Sequence, residues 1–217
     1  MNKNTRFKGN LEGAIMPSLI SLALITSYLI FKPSLLFQPS VFLFLGMLLL
    51  WGMIEVFVMK GGGRLKFDRI DGLLQTGGLI GLMLSVIFAD LNGKFIALFT
   101  FVGFFLLILG IIFRYLAIKT LGIYFSYALK VEKGSQALVD YGVYKHVRHP
   151  GYLGILLILL SLPSIHASPI GFFTTAIFSW LYINKRIAYE EKLMVDALGG
   201  SYTAYRRKTK KLIPLIY

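Results

Sequence analysis

Three polar clusters crowd the second half of this 217-residue chain, and each holds residue types that can bind or orient a charged small molecule. The first spans residues 141–154 and contains Tyr144, Arg148, His149, Pro150, Tyr152 and Gly154. Proline suits a first helical turn, where its missing amide hydrogen would be unpaired anyway. The spacing predicts a helix that starts near Gly151. Arg148 and His149 then flank the positive end of that helix, a combination that favours an anion. The competing reading is a basic anchor that snorkels at a membrane boundary. In the second cluster, residues 184–193, Arg186 and Glu190 stand four apart and share a helical face. Glu191 is turned by about 100° and addresses a different group. A solvated ion pair is the alternative there. The third cluster, residues 199–208, puts Tyr202, Tyr205 and Arg206 on one face. Its alternative is an interfacial aromatic belt with basic anchors.

Mostly apolar elements must hold these clusters. Hydrophobic residues make up 56% of the chain, above the ~45–50% of a soluble domain. They fall in long uninterrupted runs rather than at amphipathic spacing, which is the membrane pattern. Spans are predicted at residues 13–31, 40–59, 72–90 and 94–116, each near the ~20 apolar residues that cross a bilayer. Two shorter runs, 151–163 and 169–183, flank a turn with Pro163, His166 and Pro169. They predict a helical hairpin, crossing or re-entrant, and His166 in its turn reads as structural. The expected fold class is all-α and polytopic. It has four transmembrane spans, a short C-terminal helical hairpin (five to six membrane helices in all) and a cytosolic C-terminal amphipathic helix. An N-terminal four-span region, 1–116, thus precedes a region 117–217 that carries all three clusters.

Charge sets the expected orientation. Of 23 Lys and Arg residues, all but Lys32 and Lys94 lie within residues 1–12, 60–71, 114–148 and 184–217. The positive-inside rule puts both termini and the two long loops in the cytoplasm. The basic first residues look like the start of a signal peptide. The run behind them is long and lacks a small-residue cleavage site, so it reads as a retained span. Topology and contact with anionic membrane lipids account for the net charge of +13. No nucleic-acid partner is expected, because no aromatic-and-basic RNA-binding motif occurs. The absence of cysteine excludes disulfides, thiolate metal sites and cysteine nucleophiles. With only three histidines, no metal site is expected. The glycine run at 61–63 reads as a turn between spans.

In this order, and behind several spans, the motifs resemble the isoprenylcysteine carboxyl methyltransferase family and, more broadly, the phospholipid methyltransferase-like membrane enzymes. The marks are Leu138-Val139, then Gly142-x-Tyr144, then Arg148-His149-Pro150-x-Tyr152-x-Gly154. After the hairpin come Arg186-x-x-x-Glu190-Glu191 and Gly199-x-x-Tyr202-x-x-Tyr205. The resemblance implies that 117–217 is a catalytic region made of a cofactor-binding loop, the hairpin and the tail helix. It implies S-adenosylmethionine as cofactor and S-adenosylhomocysteine as product, bound on the cytosolic side. Leu138, Val139, Tyr144, Arg148, His149 and Pro150 would line the cofactor, as would Tyr152, Gly154, Glu191, Tyr202 and Tyr205. Arg186 and Glu190 would act at the methyl-acceptor end.

The acceptor implied first is the carboxylate of an isoprenylcysteine-like acid, on a lipid or prenylated substrate that arrives from the bilayer. A carboxylate with a pKa of about 3.5 is already ionised, so it needs no base. Arg186 could then orient it bidentately. N-methylation of a phosphatidylethanolamine-type head group stays open and would need a base, Glu190 or His149. Two readings from other classes also stay open: an NADPH-dependent sterol-reductase-like protein and a non-enzymatic membrane scaffold.

Overall fold

The computed structural model describes residues 20–58, 69–90, 93–125, 138–214 and 217. The glycine run at 61–63 and the basic N-terminal segment lie outside them. The described residues form seven α-helices in order: α1 Ile20–Phe31, α2 Pro39–Val58, α3 Arg69–Ile87, α4 Ile96–Leu121, α5 Pro150–Ile165, α6 Pro169–Leu198 and α7 Gly200–Lys208. Short 3-10 turns at Pro33–Phe37, Gly122–Tyr124 and Gly142–Lys145 join them. Among the described residues the only extended pairing is one parallel bridge between Val147 and Lys210.

The all-helical class is as expected, and α1 to α4 fall on the four apolar runs. Among the described residues α4 is the helix long and apolar enough to cross a bilayer outright. The apolar stretches Ile20–Phe31, Pro39–Leu50, Gly72–Ile87 and Pro150–Ile165 are shorter. The hairpin differs from expectation in its second arm. Helix α6 runs unbroken for 30 residues, about 45 Å, so one rigid rod carries both the apolar run and Arg186, Glu190 and Glu191. Ser168 starts it by accepting the Gly171 amide at 3.3 Å, a normal N-cap.

The bundle is apolar outside as well as in its core, with small residues where helices touch. On α4, Phe101, Phe105, Ile108 and Ile112 are exposed, as are Phe173, Ile177 and Leu181 on α6. Such a surface is incompatible with water and belongs in a bilayer: this is a membrane protein. The opposite stripe of α4 holds Gly103, Leu107, Gly110, Ile111, Arg114, Ala117 and Ile118, a helical spacing that faces α5. A Cβ on Gly110 would come within 2.8 Å of the Gly154 carbonyl oxygen, and one on Gly154 within 2.7 Å of the Gly110 carbonyl. The two backbones touch, which is how helices pack where lipid supplies no hydrophobic drive. Helices α3 and α6 use the same device, with Gly81 against Thr175 and Gly171 against Ser85.

The hairpin turn is tied to the N-terminal helices by hydrogen bonds, and a lysine joins α1 to the end of α3 beside it. His166 is fully buried, and its Nε2 lies 3.0 Å from the Tyr28 hydroxyl of α1. The His166 carbonyl accepts the Asp90 amide at 3.0 Å. Lys32 Nζ donates to the Ala89 carbonyl at 2.8 Å. The structural role read for His166 is what these contacts show.

Candidate functional site

At the open end of the hairpin the three sequence clusters converge. Pro150 begins α5 in its first turn, with His149 as the preceding residue. The next structural fact is a strap: residues 209–212 run beside residues 146–149. Lys210 donates its amide to the His146 carbonyl at 3.1 Å. The Arg148 amide donates to Lys210 at 2.8 Å and the His149 amide to Lys211 at 3.2 Å. The amides just before α5 are thus already engaged by the chain's own carbonyls. Leu212, fully buried, anchors the strap against Leu153, Ile183 and Ile187. Lys211 Nζ reaches Asn184 of α6 at 2.9 Å and the Tyr217 hydroxyl at 2.8 Å.

Arg148 and Glu191 form the core of this junction. Arg148 Nε donates to Glu191 Oε1 at 2.8 Å. Its Nη1 donates to the carbonyls of Thr209 and, at 3.1 Å, of Arg206. Arg206 Nη2 lies 3.3 Å from Glu191 Oε2, and His149 Nε2 lies 3.3 Å from Oε1. Burial pushes the Glu191 carboxyl up. The hydrogen bonds from His149 and Arg148 outweigh that and bring it down to about 2. It is therefore a carboxylate at any physiological pH, held by three cationic or imidazole groups from two segments, the stretch before α5 and α7.

Glu190 has the opposite environment. It is one third exposed, and its Oε2 is 3.9 Å from His149 Nδ1, beyond hydrogen-bond reach. Its charge is felt by Tyr144, Tyr152 and Tyr202, which come from the 142–145 turn, α5 and α7. Tyr152 hydrogen-bonds Arg186 and sits 5.9 Å from the His149 ring. Tyr205 donates to the Tyr144 carbonyl at 2.7 Å and packs 5.9 Å from Tyr202. Burial pushes the hydroxyls of Tyr144, Tyr202 and Tyr205 above their ordinary value, so none of them serves as a base near neutrality. A partly exposed carboxylate whose charge reaches these tyrosines suits a cation.

Two buried arginines act on these tyrosines, Arg114 on Tyr144 and Arg186 on Tyr152. Arg186, on α6, was expected from the sequence. Arg114, on α4, was not. Its guanidinium lies 5.0 Å over the Phe125 ring, and its charge opposes that of Glu190 at Tyr144. A Cβ on Gly151 would lie 3.1 Å from Arg114 Nη1, so the glycine leaves room for it. The sequence signal was an arginine inside an apolar span, which marks a functional position by default. The other expected residues are placed around this site rather than in it. Val139 packs with Ala117 and Tyr144 at the end of α4, and Leu138 beside it is half-buried. Gly154 faces the α4 backbone.

The class these features define is an all-α membrane protein with a charged, tyrosine-lined site at one end of its bundle. Residues 101–196 match the isoprenylcysteine carboxyl methyltransferase (ICMT) family, so that part of the chain carries the family pattern that the motif order resembles. A probable protein-S-isoprenylcysteine O-methyltransferase of Oryza sativa subsp. indica is 30% identical over 118 residues, which cover 54% of this chain and 62% of that one. The protein-S-isoprenylcysteine O-methyltransferase of Saccharomyces cerevisiae is 33% identical over 118 residues, 54% of this chain and 49% of the yeast protein. The chain thus spans between about half and three fifths of the length of these relatives. The fold is similar to that of a solved eukaryotic intramembrane Ras methyltransferase ICMT, with a TM-score of 0.59 at 20% identity, over 91% of this chain and 74% of that one. That likeness extends past the family match to the N-terminal helices.

Proposed function

We propose that this protein is an integral membrane methyltransferase that uses S-adenosylmethionine to methylate the carboxylate of an isoprenylcysteine-like acid, on a lipid or prenylated protein. The observation that carries the reading is the junction of Arg148, His149, Glu190 and Glu191 at the open end of the hairpin, inside the family-matched segment. Bound there, S-adenosylmethionine supplies the methyl group and leaves as S-adenosylhomocysteine. Glu190 and the tyrosines hold positive charge in place, and His149 borders the same space. Arg186 and Arg114 orient the anionic acceptor. Two buried guanidinium groups favour a carboxylate over the ammonium of a phosphatidylethanolamine-type head group, which they would repel. The acceptor needs no proton removed, so the chain's task is to align the two reactants and exclude water. The site belongs at the cytosolic ends of four spans and a hairpin, with both termini cytoplasmic, as the charge distribution supports. The lipid tail reaches it from the bilayer.

The test is transfer of labelled methyl from S-adenosylmethionine to synthetic farnesylcysteine by purified protein in detergent. Transfer to farnesylcysteine, and binding of S-adenosylhomocysteine by calorimetry, are expected. Transfer to phosphatidylethanolamine instead overturns the acceptor. The absence of binding to either form of the cofactor overturns the methyltransferase reading.

A further inference from the structure

Two basic stretches are held together at the open end of the hairpin. Residues 145–149 and 206–211 are rich in Lys, Arg and His, and neither stretch contains an acid. The bridge between Val147 and Lys210 joins them. Glu191 neutralises Arg148 and Arg206. Lys145, Arg207, Lys208 and Lys210 stay exposed, and among the described residues none of them has an acid partner. Like charges gathered in this way repel, so the face calls for an anion from outside the chain. Aromatic residues set its height. Gly151, at the start of α5, lies against Arg114 of α4, so Tyr115 stands level with it, with Lys119 Nζ 5.5 Å over its ring. On α6 the exposed row of Phe173, Ile177, Trp180 and Leu181 gives way to Asn184 and Lys185. The Trp180 ring lies 5.6 Å from that of Tyr217, and Lys211 Nζ 5.0 Å over the Tyr217 ring. Aromatic rings beside lysines, where apolar rows end, mark the headgroup level of a bilayer.

We propose that the strap is a docking site for an anionic phospholipid, whose headgroup phosphate binds at the corner formed by Lys211, Tyr217 and Trp180. Lys211 Nζ donates to Asn184 Oδ1 at 2.9 Å and to the Tyr217 hydroxyl at 2.8 Å. An ammonium carries three hydrogens, and the third has no protein partner among the described residues. A phosphate oxygen accepts it. Trp180 and Tyr217 border the headgroup, and the lipid chains lie along the exposed apolar row of α6. Lys208 and Lys210 raise the positive potential over the same membrane surface. A lipid fits this corner better than an acidic protein does, because the cations sit where apolar helix faces meet aromatic rings. The site also has a reach beyond itself. The carbonyls of Lys210 and Lys211 accept the amides of Arg148 and His149 at 2.8 and 3.2 Å. A lipid that steadies Lys211 therefore steadies the segment before α5.

The experiment reads the lipid next to Trp180. The chain has two tryptophans, Trp51 and Trp180, so Trp51→Phe leaves Trp180 as the only fluorophore. The full chain is reconstituted in phosphatidylcholine vesicles that contain a minor, equal fraction of brominated phosphatidylglycerol or brominated phosphatidylcholine. Bromine quenches only a tryptophan that it touches. Phosphatidylglycerol is expected to be preferred roughly fivefold at low salt, the effect of one basic residue at a membrane surface, and less so as salt rises. Lys211→Gln should bring the preference close to one, and Lys211→Arg should restore it. Hydrogen exchange at the amides of Arg148 and His149 should be slower in vesicles with phosphatidylglycerol than in phosphatidylcholine alone. Equal quenching by the two lipids overturns the proposal, whether or not the variants fold. So does a preference that survives Lys211→Gln in protein that elutes as wild type. Polyglutamate that binds the face in vesicles where neither lipid is preferred assigns it to an acidic protein segment and likewise overturns the lipid. Exchange that ignores lipid charge overturns the link to the segment before α5. None of these readouts uses methyl transfer, so they stand or fall apart from the proposed activity.

Discussion

The two ends of the α5–α6 hairpin solve the burial of polar groups in opposite ways. At the turn, Tyr28, His166, Ser164 and Ser168 are buried with neutral partners, and the backbone takes most of the hydrogen bonds. At the open end, Arg114, His149, Arg186 and Glu191 are buried as ions or ionisable groups from separate segments. Neutral pairs suffice to hold helices together. Buried charges are costly to desolvate, and breaking a pair strands the partner. Their concentration at one end marks where the protein handles a charged ligand, and the turn marks where it is merely fastened.

The contrast can be broken from either end or from the crossing between them. The largest effect is expected at the crossing. Gly110→Val drives a branched side chain into the Gly154 carbonyl and Ile158, so the protein should fail to give a monodisperse peak in detergent chromatography. At the open end, Arg186→Ala should leave the thermal transition in place yet lower methyl transfer by about a hundredfold or more, since a misaligned acceptor loses that much. At the turn, Tyr28→Phe should reverse the pattern. Stability falls by about 1–3 kcal/mol because His166 loses a buried partner, while kcat per folded molecule is kept, as a denaturant series with parallel assays will show. Acid sharpens the difference further. The folded Glu191 carboxyl sits near 2 against an ordinary 4.5, so the unfolded chain binds more protons than the folded one between those values. Its stabilising contribution is complete above about pH 4.5 and is lost as pH falls toward 2. Glu191→Gln should flatten that part of a stability profile, and Tyr28→Phe should not. The smallest effect is expected on the lipid face, where Phe101→Leu should change neither stability nor transfer measurably.

Much of this was legible beforehand because it depends on local pattern. Apolar runs gave α2, α3 and α4 nearly to their ends, and Pro150 announced the start of α5. The four-residue spacing put Arg186 and Glu190 on one helix face. The adjacent Glu191 was expected beside the cofactor, and the structure ties it to Arg148, Arg206 and His149. No spacing rule shows that partnership, because the three partners lie about 15 to 43 positions away along the chain and reach Glu191 only through folding. Arg114 escaped notice for a related reason. It stands in the fourth apolar run, ahead of the clusters, and joins them only because Gly110 and Gly154 let α4 and α5 touch.

By itself the sequence determined that the chain is helical and membrane-bound, and which short segments carry its charge. Those properties follow from hydrophobic run length, proline and cap chemistry, and charge count, all of which act over a few residues. Only the tertiary structure decided which charged groups neutralise each other and which stay available. Electrostatic roles depend on distance and burial across segments, and two glutamates side by side in the chain have opposite fates because a helix turns one toward Arg148 and the other toward the tyrosines.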